Sequence, residues 1–524
     1  MTGETVDAVV VGAGPNGLVA ANLLADAGWD VVVLEGTDHA GGAVRSAEVT
    51  VPGYLSDLCS AFYPLGVVSP ALKQLDLEAF GLEWTHAPAV VAHLLADGRA
   101  AVLSRDLDLT AESLESFAPG DGERWLRAYK EWRRIADDLV PALLTPFPPV
   151  RSGARLVRQL GVAGGLRLAR RFVLPTRALG EELFRGEGGQ VLLAGLALHT
   201  DLSPDEPGSG GFGWLLGMLG QQFGFPVPVG GAQAITDALV KRFRGTVVTG
   251  APVTSVVIAN GVALGVLTAD GRRWRARKAV LADVPAPALY RQLVGAGHLP
   301  RRLLEDLDGF RWDHGTLKVD YALSAPLDWI VPEVAGAGTV HLGADVDGLA
   351  KYSYELATGQ APSEPFLLLG QMTTADPTRS PAGTESLWAH THVPHRGFDV
   401  SAQVDRVEDV IERHAPGFRD RILGRHVAGP DELERKNLSL VGGAINGGSA
   451  AISQQLFFRP VPGLGRADTP IDRLYLAGAS AHPGGGVHGA AGANAARAAL
   501  ARHRPLLGHL YAAGLRGANR VIYR

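Results

Sequence analysis

Asp7–Ser46 reads DAVVVGAGPNGLVAANLLADAGWDVVVLEGTDHAGGAVRS, and this stretch decides the fold. Ala8 to Val11 is a short apolar run of buried-strand type, and the apolar, Ala-rich segment Leu18 to Ala27 reads as a helix stopped by Gly28. Val31 to Leu34 forms a second strand, ending at Glu35. Between the first strand and the helix stand Gly12, Gly14 and Gly17 in G-x-G-x-x-G spacing, with Pro15 and Asn16 inside the motif. The three glycines differ in what they permit. Gly12 turns the chain tightly, Gly14 lets backbone approach a pyrophosphate, and Gly17 lets helix and strand pack closely. The helix N-terminus offers free N–H groups and a partial positive charge to the phosphates. Glu35, 18 residues after the last glycine, is placed to accept hydrogen bonds from ribose hydroxyls. The full strand–helix–strand–acid context specifies a dinucleotide site far better than the glycines alone.

Working outward, 524 residues suffice for two or three domains with a large core. A net charge of -5 gives no electrostatic case for binding nucleic acid. Cys59 is the single cysteine, which excludes a disulfide and a redox-active cysteine pair. No basic n-region precedes Asp7 and no uninterrupted apolar run reaches membrane-spanning length, so a cytoplasmic location is expected.

After Glu35 come Gly41, Gly42 and Arg45, which suit a loop folding back over the pyrophosphate, with Arg45 giving charge-assisted hydrogen bonds. With this loop, the opening resembles the FAD-binding start shared by phytoene desaturases, amine oxidases and their relatives. Asn16-Gly17-Leu18 is most similar to the phytoene-desaturase-related branch, which includes proteins named for a pyridine nucleotide-disulphide oxidoreductase domain. The resemblance implies that the nucleotide is FAD.

Residues 107–226 turn helical, with helix-compatible spacing over Glu112–Phe117, Glu123–Leu144 and Ala154–Leu174, interrupted by Pro146-Phe147-Pro148-Pro149. This reads as an inserted helical lid. Leu139–Gly180 carries seven arginines and no acid. On a helical wheel Arg167, Arg170 and Arg171 share one side, and Leu166, Leu168, Ala169, Phe172 and Val173 spread over the other. Either this face touches an anionic membrane peripherally, or it is a solvated arginine face over a packed lid.

Thr246–Gly271 alternates as short strands, and Lys278–Asp283 reads as a strand closing the nucleotide domain. The resemblance sets Val253 against the adenine and Ala282 near the cofactor. Residues 310–425 are strand-rich, with Lys318 in one strand and Trp388, His390 and His392 at period two in another, so these three share a face. At the C-terminal end, Ile471–Leu500 carries a strand, a turn at Gly478, and Gly484-Gly485-Gly486-Val487 leading into an Ala-rich helix. It resembles the flavin-contact motif of the same branch, whose helix N-terminus would stabilise charge on a reduced flavin. The expected fold is α/β (α+β overall): a Rossmann-like FAD-binding domain (1–106, 227–290 and 426–510), a helical lid (107–226) and a sheet substrate domain (291–425).

Lys318 matches a strand position where amine oxidases keep a lysine near the flavin; a merely structural lysine is the alternative. His390 and His392 are acid/base candidates. His390, His392 and His395 lack a carboxylate–cysteine set, so no metal is expected. His482 and His488 flank the glycine turn. Cys59 lies far along the chain from that turn, which argues against a cysteinyl–flavin bond. The resemblance implies an FAD-dependent oxidoreductase that desaturates a hydrophobic polyene- or isoprenoid-like substrate, passing electrons to oxygen, a quinone or another acceptor. A flavin amine oxidase, a flavin-dependent C=C isomerase and a non-catalytic prenyl-binding chaperone are the alternatives.

Overall fold

The computed structural model describes residues 4–505 and 507–524. Its first sheet has seven strands. The path runs Val253–Ala259, Val262–Thr268, Arg273–Ala282, Thr5–Val11, Val31–Leu34 and Thr246–Val248, and Leu474–Leu476 pairs with Arg273–Ala282. Thr5–Val11 is parallel to both of its neighbours, and Val31–Leu34 is buried throughout, so both sheet faces must be covered. One cover is the helix Pro15–Asp26, which begins directly after Gly14, with Pro15 in its first turn. A second is the final Ala-rich helix, Ala490–Arg502. The two helices approach so closely that a Cβ on Gly492 would stand 1.9 Å from the Asn16 carbonyl oxygen. This contact brings the C-terminal motif to the N-terminal one, although the two stand near opposite ends of the sequence.

The second sheet also has seven strands, in the order Ile422–Ala428, Gly315–Leu323, Glu385–Val393, Leu367–Gln371, Ala337–Leu342, Ala89–Leu94 and Ala100–Leu103. Its last two members correct the expected boundaries. Residues 89–103 fall in the expected nucleotide domain, yet Ala89–Leu94 pairs in parallel with Ala337–Leu342. Ile422–Ala428 crosses the expected break at 425/426 in the same way. Nothing in a buried apolar run such as Val90–Leu94 states which of two sheets will take it.

The lid comprises six helices between Leu107 and Phe223, closed around Trp125, Trp132 and Trp214, all fully buried. Val150–Arg171 is broken at Gly161 (φ 64°, ψ 175°), so the single expected helix is two. The wheel of its second half also needs correction. Arg171 lies over the Trp214 ring at 4.6 Å, while Leu168 and Phe172 join the lid core. Leu166 and Val173, placed with them on the wheel, are 66% and 51% exposed. At about 100° per residue Leu168, Arg171 and Phe172 fall on one arc, which packs on the lid, and Leu166 and Val173 lie across the helix from it.

Candidate functional site

The nucleotide end is built from backbone. Gly12 has φ 94°, a left-handed conformation that glycine adopts at little cost, and a Cβ there would meet the Asp283 carbonyl oxygen at 2.7 Å. The Glu35 carboxylate accepts from Ala13 N–H (2.8 Å) and from Thr37 N–H and Oγ1 (2.9 Å each). It is therefore fixed at the end of its strand, beside the glycine turn. Asn16 Oδ1 is buried without a partner among the described residues, next to the helix start, as expected where polar atoms await a ligand. Gly41 N–H donates to the Ala13 carbonyl, which folds the Gly41–Arg45 loop onto the same turn. Ala282 ends its strand between Val11 and Leu476, and Val253 opens the strand whose preceding residue, Pro252, packs on Gly36. These residues fit FAD: Glu35 for the ribose, the Asn16–Gly17 turn and Arg45 for the pyrophosphate, Val253 and Ala282 along the adenosine half.

Asp283 is the group that sequence reasoning misses. Its Oδ2 accepts the Gly17 N–H (2.8 Å), so an enclosed carboxylate occupies the start of the dinucleotide helix. Loss of solvent pushes its pKa up to about 7, and the nearby Glu35 adds to the rise against the lowering effect of the Gly17 hydrogen bond. Its one signal in the sequence is its place immediately after the closing strand.

Gly485, Gly486 and Val487 line a cavity of about 260 Å³ together with Cys59–Gly66, Phe212, Leu215, Leu216, Phe225, Leu368 and Trp388. Its polar walls are Lys318, His390, His199, Thr316, Thr339 and Asn446, and among the described residues no Asp or Glu lines it. Asn446 Nδ2 is buried there and has no partner among the described residues. A Cβ on Gly485 would strike the Asn446 carbonyl at 2.6 Å, so the glycine turn and the 446–448 loop are pressed together. Gly478, after its strand, is enclosed by the Val284 backbone. Behind this turn the buried Arg459 donates to the carbonyls of Asn446, Gly447, Gly448, Ser449 and Ala479. Burial lowers its pKa to about 10. His488 Nδ1 accepts the Ala490 N–H at the start of the helix Ala490–Arg502, while His482 bonds the Thr145 carbonyl of the lid.

Lys318 and His390 are cross-strand partners and both reach the cavity. Lys318 is not a free cation, since it forms a buried ion pair with Asp320 on the same face of its strand. His392 stands one pair further along and is absent from the cavity wall. Its Nε2 meets Asp201 Oδ1 at 2.5 Å and its Nδ1 meets the Tyr352 hydroxyl at 2.9 Å. Burial holds His390 well below the usual imidazole range, so it is neutral. His395 is exposed and bonded to the Gly442 carbonyl. Cys59 lines the same cavity as Gly485–Val487, so distance along the chain is no argument against a cysteinyl–flavin bond. Loss of solvent pushes the Cys59 thiol up to about 11, which disfavours the thiolate that such a bond needs.

A buried triad joins the short hairpin Ser46–Ala47/Ser56–Asp57 to the segment between Leu367–Gln371 and Glu385–Val393 of the second sheet. Arg379 pairs with Asp57 (3.0 Å) and Asp376 (2.9 Å), and Asp57 also accepts from Ser46 Oγ and Ala232 N–H. No spacing rule links Asp57 to an arginine 322 positions away, so the sequence offers no signal for it.

Residues 16–500 match the model of the family described as flavin containing amine oxidoreductase. The rat protein named pyridine nucleotide-disulfide oxidoreductase domain-containing protein 2 is 29% identical over 94% of this chain and 92% of its own. A neurosporene-forming phytoene desaturase from Cereibacter sphaeroides is 26% identical over 95% of each chain. Among solved structures, wild-type putrescine oxidase bound to putrescine superposes with a TM-score of 0.61 at 16% identity, over 95% of this chain and 98% of that one, a likeness of fold. Since the family match extends from the start of the dinucleotide helix at residue 16 through the C-terminal turn docked beside it, this chain belongs to the flavin-containing amine oxidoreductase family, as an FAD-dependent oxidoreductase with relatives in the phytoene-desaturase-related branch.

Proposed function

We propose that this enzyme dehydrogenates a hydrophobic, isoprenoid-like substrate, converting a CH–CH unit into C=C. The observation that carries this reading is the cavity wall, which is apolar on the lid side and holds Lys318 but, among the described residues, no carboxylate. A substrate ammonium would enter with no carboxylate on the wall to meet it, because Lys318 is already paired with Asp320, and leaving a charge unpaired costs more in a dry pocket. A polyene loses only water by entering. Bound FAD supplies the hydride acceptor. The chain does the rest: Leu215, Leu216 and Phe225 exclude water, and Trp388 and Phe62 flank the substrate space. The phytoene desaturase relative acts on a polyene by its name, which favours the same substrate class here.

Delivery of such a substrate from a bilayer is part of the proposal. Val157, Val162 and Leu166 are 56%, 75% and 66% exposed on the kinked helix, beside the exposed Arg151, Arg158 and Arg167. The other three arginines of this helix are paired with Asp138, Glu182 and Glu131 of the lid. No helix among the described residues is long and apolar enough to cross a membrane, so the contact would be peripheral. Oxygen or a quinone would serve as electron acceptor. Anaerobic mixing of the holoenzyme with phytoene in liposomes tests the reaction: bleaching of the flavin with gain of a conjugated product supports it, and bleaching only by amines refutes it.

A further inference from the structure

Arg459 is a cation buried without a counter-ion. It is 2% exposed, and each of its three nitrogens donates to backbone. Nη1 reaches the Ser449 carbonyl (2.9 Å), Nε and Nη2 reach Ala479 (3.2 and 2.9 Å), and Nη2 also reaches Asn446, Gly447 and Gly448. Every acceptor is a neutral carbonyl. No carboxylate forms an ion pair with it among the described residues, and Asp313 is the one acid whose charge acts on it. Carbonyl dipoles solvate a guanidinium but leave its net charge standing, and a buried charge is ordinarily met by an opposite one.

The charge stands against the glycine turn. A Cβ on Gly484 would lie 3.3 Å from the guanidinium carbon, and the next three residues, Gly485, Gly486 and Val487, line the cavity. Asp313 occupies the opposite side of the 446–449 loop. Its carboxylate accepts the N–H groups of Asn446 (2.7 Å) and Gly448 (2.9 Å), so the loop turns donors to the acid and carbonyls to the cation. The two charges share this loop without meeting. Around them, burial holds His482 and His488 below the usual imidazole range, which leaves both uncharged near neutrality. Lys318 is paired with Asp320, and His392 with Asp201. Arg459 is therefore the one unpaired cation against the turn among the described residues, and the N-terminus of Ala490–Arg502 adds partial charge of the same sign.

We propose that Arg459 sets the reduction potential of the bound flavin, acting through the glycine turn as a fixed positive charge that favours the reduced form, while Asp313 opposes it across the loop. The inference goes beyond the substrate reading, since it rests on the cofactor alone. Reduction by hydride brings two electrons and one proton, so the cofactor site gains one negative charge. A cation already held by its backbone bonds meets that charge without reorganising. The oxidised ring is neutral and gains little from it. Affinity for the reduced form rises over affinity for the oxidised form, and the potential reports that ratio.

The test is spectroelectrochemical titration of the holoenzyme at pH 8, with free FAD measured in the same cell. Loss of solvent, with Asp201 adding to it, pushes Asp313 up to about 6, so both charges are present at this pH. Wild type should lie above free FAD, and a value below it overturns the proposal without any variant. Arg459→Met should lower the reduced-to-oxidised affinity ratio by about 10- to 100-fold, the worth of one unit charge at an effective dielectric of about 20. For a two-electron couple that is a fall of about 30–60 mV, and an unchanged potential refutes the role. Arg459→Lys keeps the charge and loses the fork, so its potential should stay within about threefold of wild type in that ratio, about 15 mV, even if its unfolding midpoint drops. Equal falls in both variants would make Arg459 a support for the loop and nothing more. Asp313→Asn removes the opposing charge and should move the potential upward, whereas loosening of the loop alone has no reason to reverse the sign. A potential that falls or stays level in Asp313→Asn overturns the account, and this measurement with the wild-type one decides the matter if neither Arg459 variant folds.

Discussion

Asp283→Asn is the sharpest perturbation the structure offers. The carboxylate is enclosed at the helix start, its one hydrogen bond comes from Gly17 N–H, and its pKa is pushed up to about 7. An asparagine keeps the shape and the accepting oxygen but cannot ionise. The pKa of this acid is raised in the folded state above the ordinary value of 3.8. The native protein therefore holds a proton that the unfolded chain has lost, and stability falls as pH rises between those values. Integrating for this one group, the wild type loses about 2 to 3 kcal/mol between pH 5 and pH 8 that the variant keeps. The effect is read by urea unfolding of both apoproteins at the two pH values. The stability difference in favour of Asp283→Asn should widen by that amount toward pH 8. A constant difference would mean that Asp283 ionises normally and that the helix start tolerates its charge. The same charge opposes the pyrophosphate, so FAD affinity of the wild type should also weaken above pH 7 while that of the variant stays level.

Glu35→Arg should empty the cofactor site, because it replaces the ribose acceptor and breaks the bonds to Ala13 and Thr37; undiminished FAD content on purification would refute that role. Lys318→Met leaves Asp320 buried and without its ion-pair partner, so a loss of about 3–5 kcal/mol is expected, largely recovered in Lys318→Met/Asp320→Asn. In that double variant, reoxidation of reduced flavin by O₂ should slow by about one to three orders of magnitude if the enzyme is an oxidase, and stopped-flow traces matching wild type would remove Lys318 from the chemistry. Asp57→Ala deprives the buried Arg379 of one of its two carboxylates and should cost about 3–5 kcal/mol, read as an early unfolding midpoint. Reversing Arg151, Arg158 and Arg167 to Glu should abolish sedimentation with anionic liposomes at low salt, each arginine being worth about 1 kcal/mol at a charged surface; equal sedimentation would leave this face a solvated one.

The nucleotide half was legible because its chemistry is local. Gly12, Gly14, Gly17 and Glu35 fall within one strand–helix–strand unit, and the C-terminal glycines announce a second turn in the same way. The catalytic half was not, because its contacts join distant segments. Lys318 stands out in its strand, but nothing in the sequence pairs it with Asp320 rather than leaving it free. His392 draws attention through its period-two spacing with His390, and the partners that occupy it, Asp201 and Tyr352, arrive from the lid and from another helix. The arginine helix misleads for a different reason: its apolar arc is wider than the face that packs, so Leu166 and Val173 stay exposed while Arg171 turns inward over Trp214.

The most direct measurement is an anaerobic reduction of the purified holoenzyme, offered phytoene in liposomes and putrescine in separate experiments, with the flavin absorbance followed and the product collected. An apolar cavity whose wall, among the described residues, holds no carboxylate predicts bleaching by phytoene, a stoichiometric gain of conjugated product and no reaction with putrescine. Bleaching by putrescine with none by phytoene would contradict it.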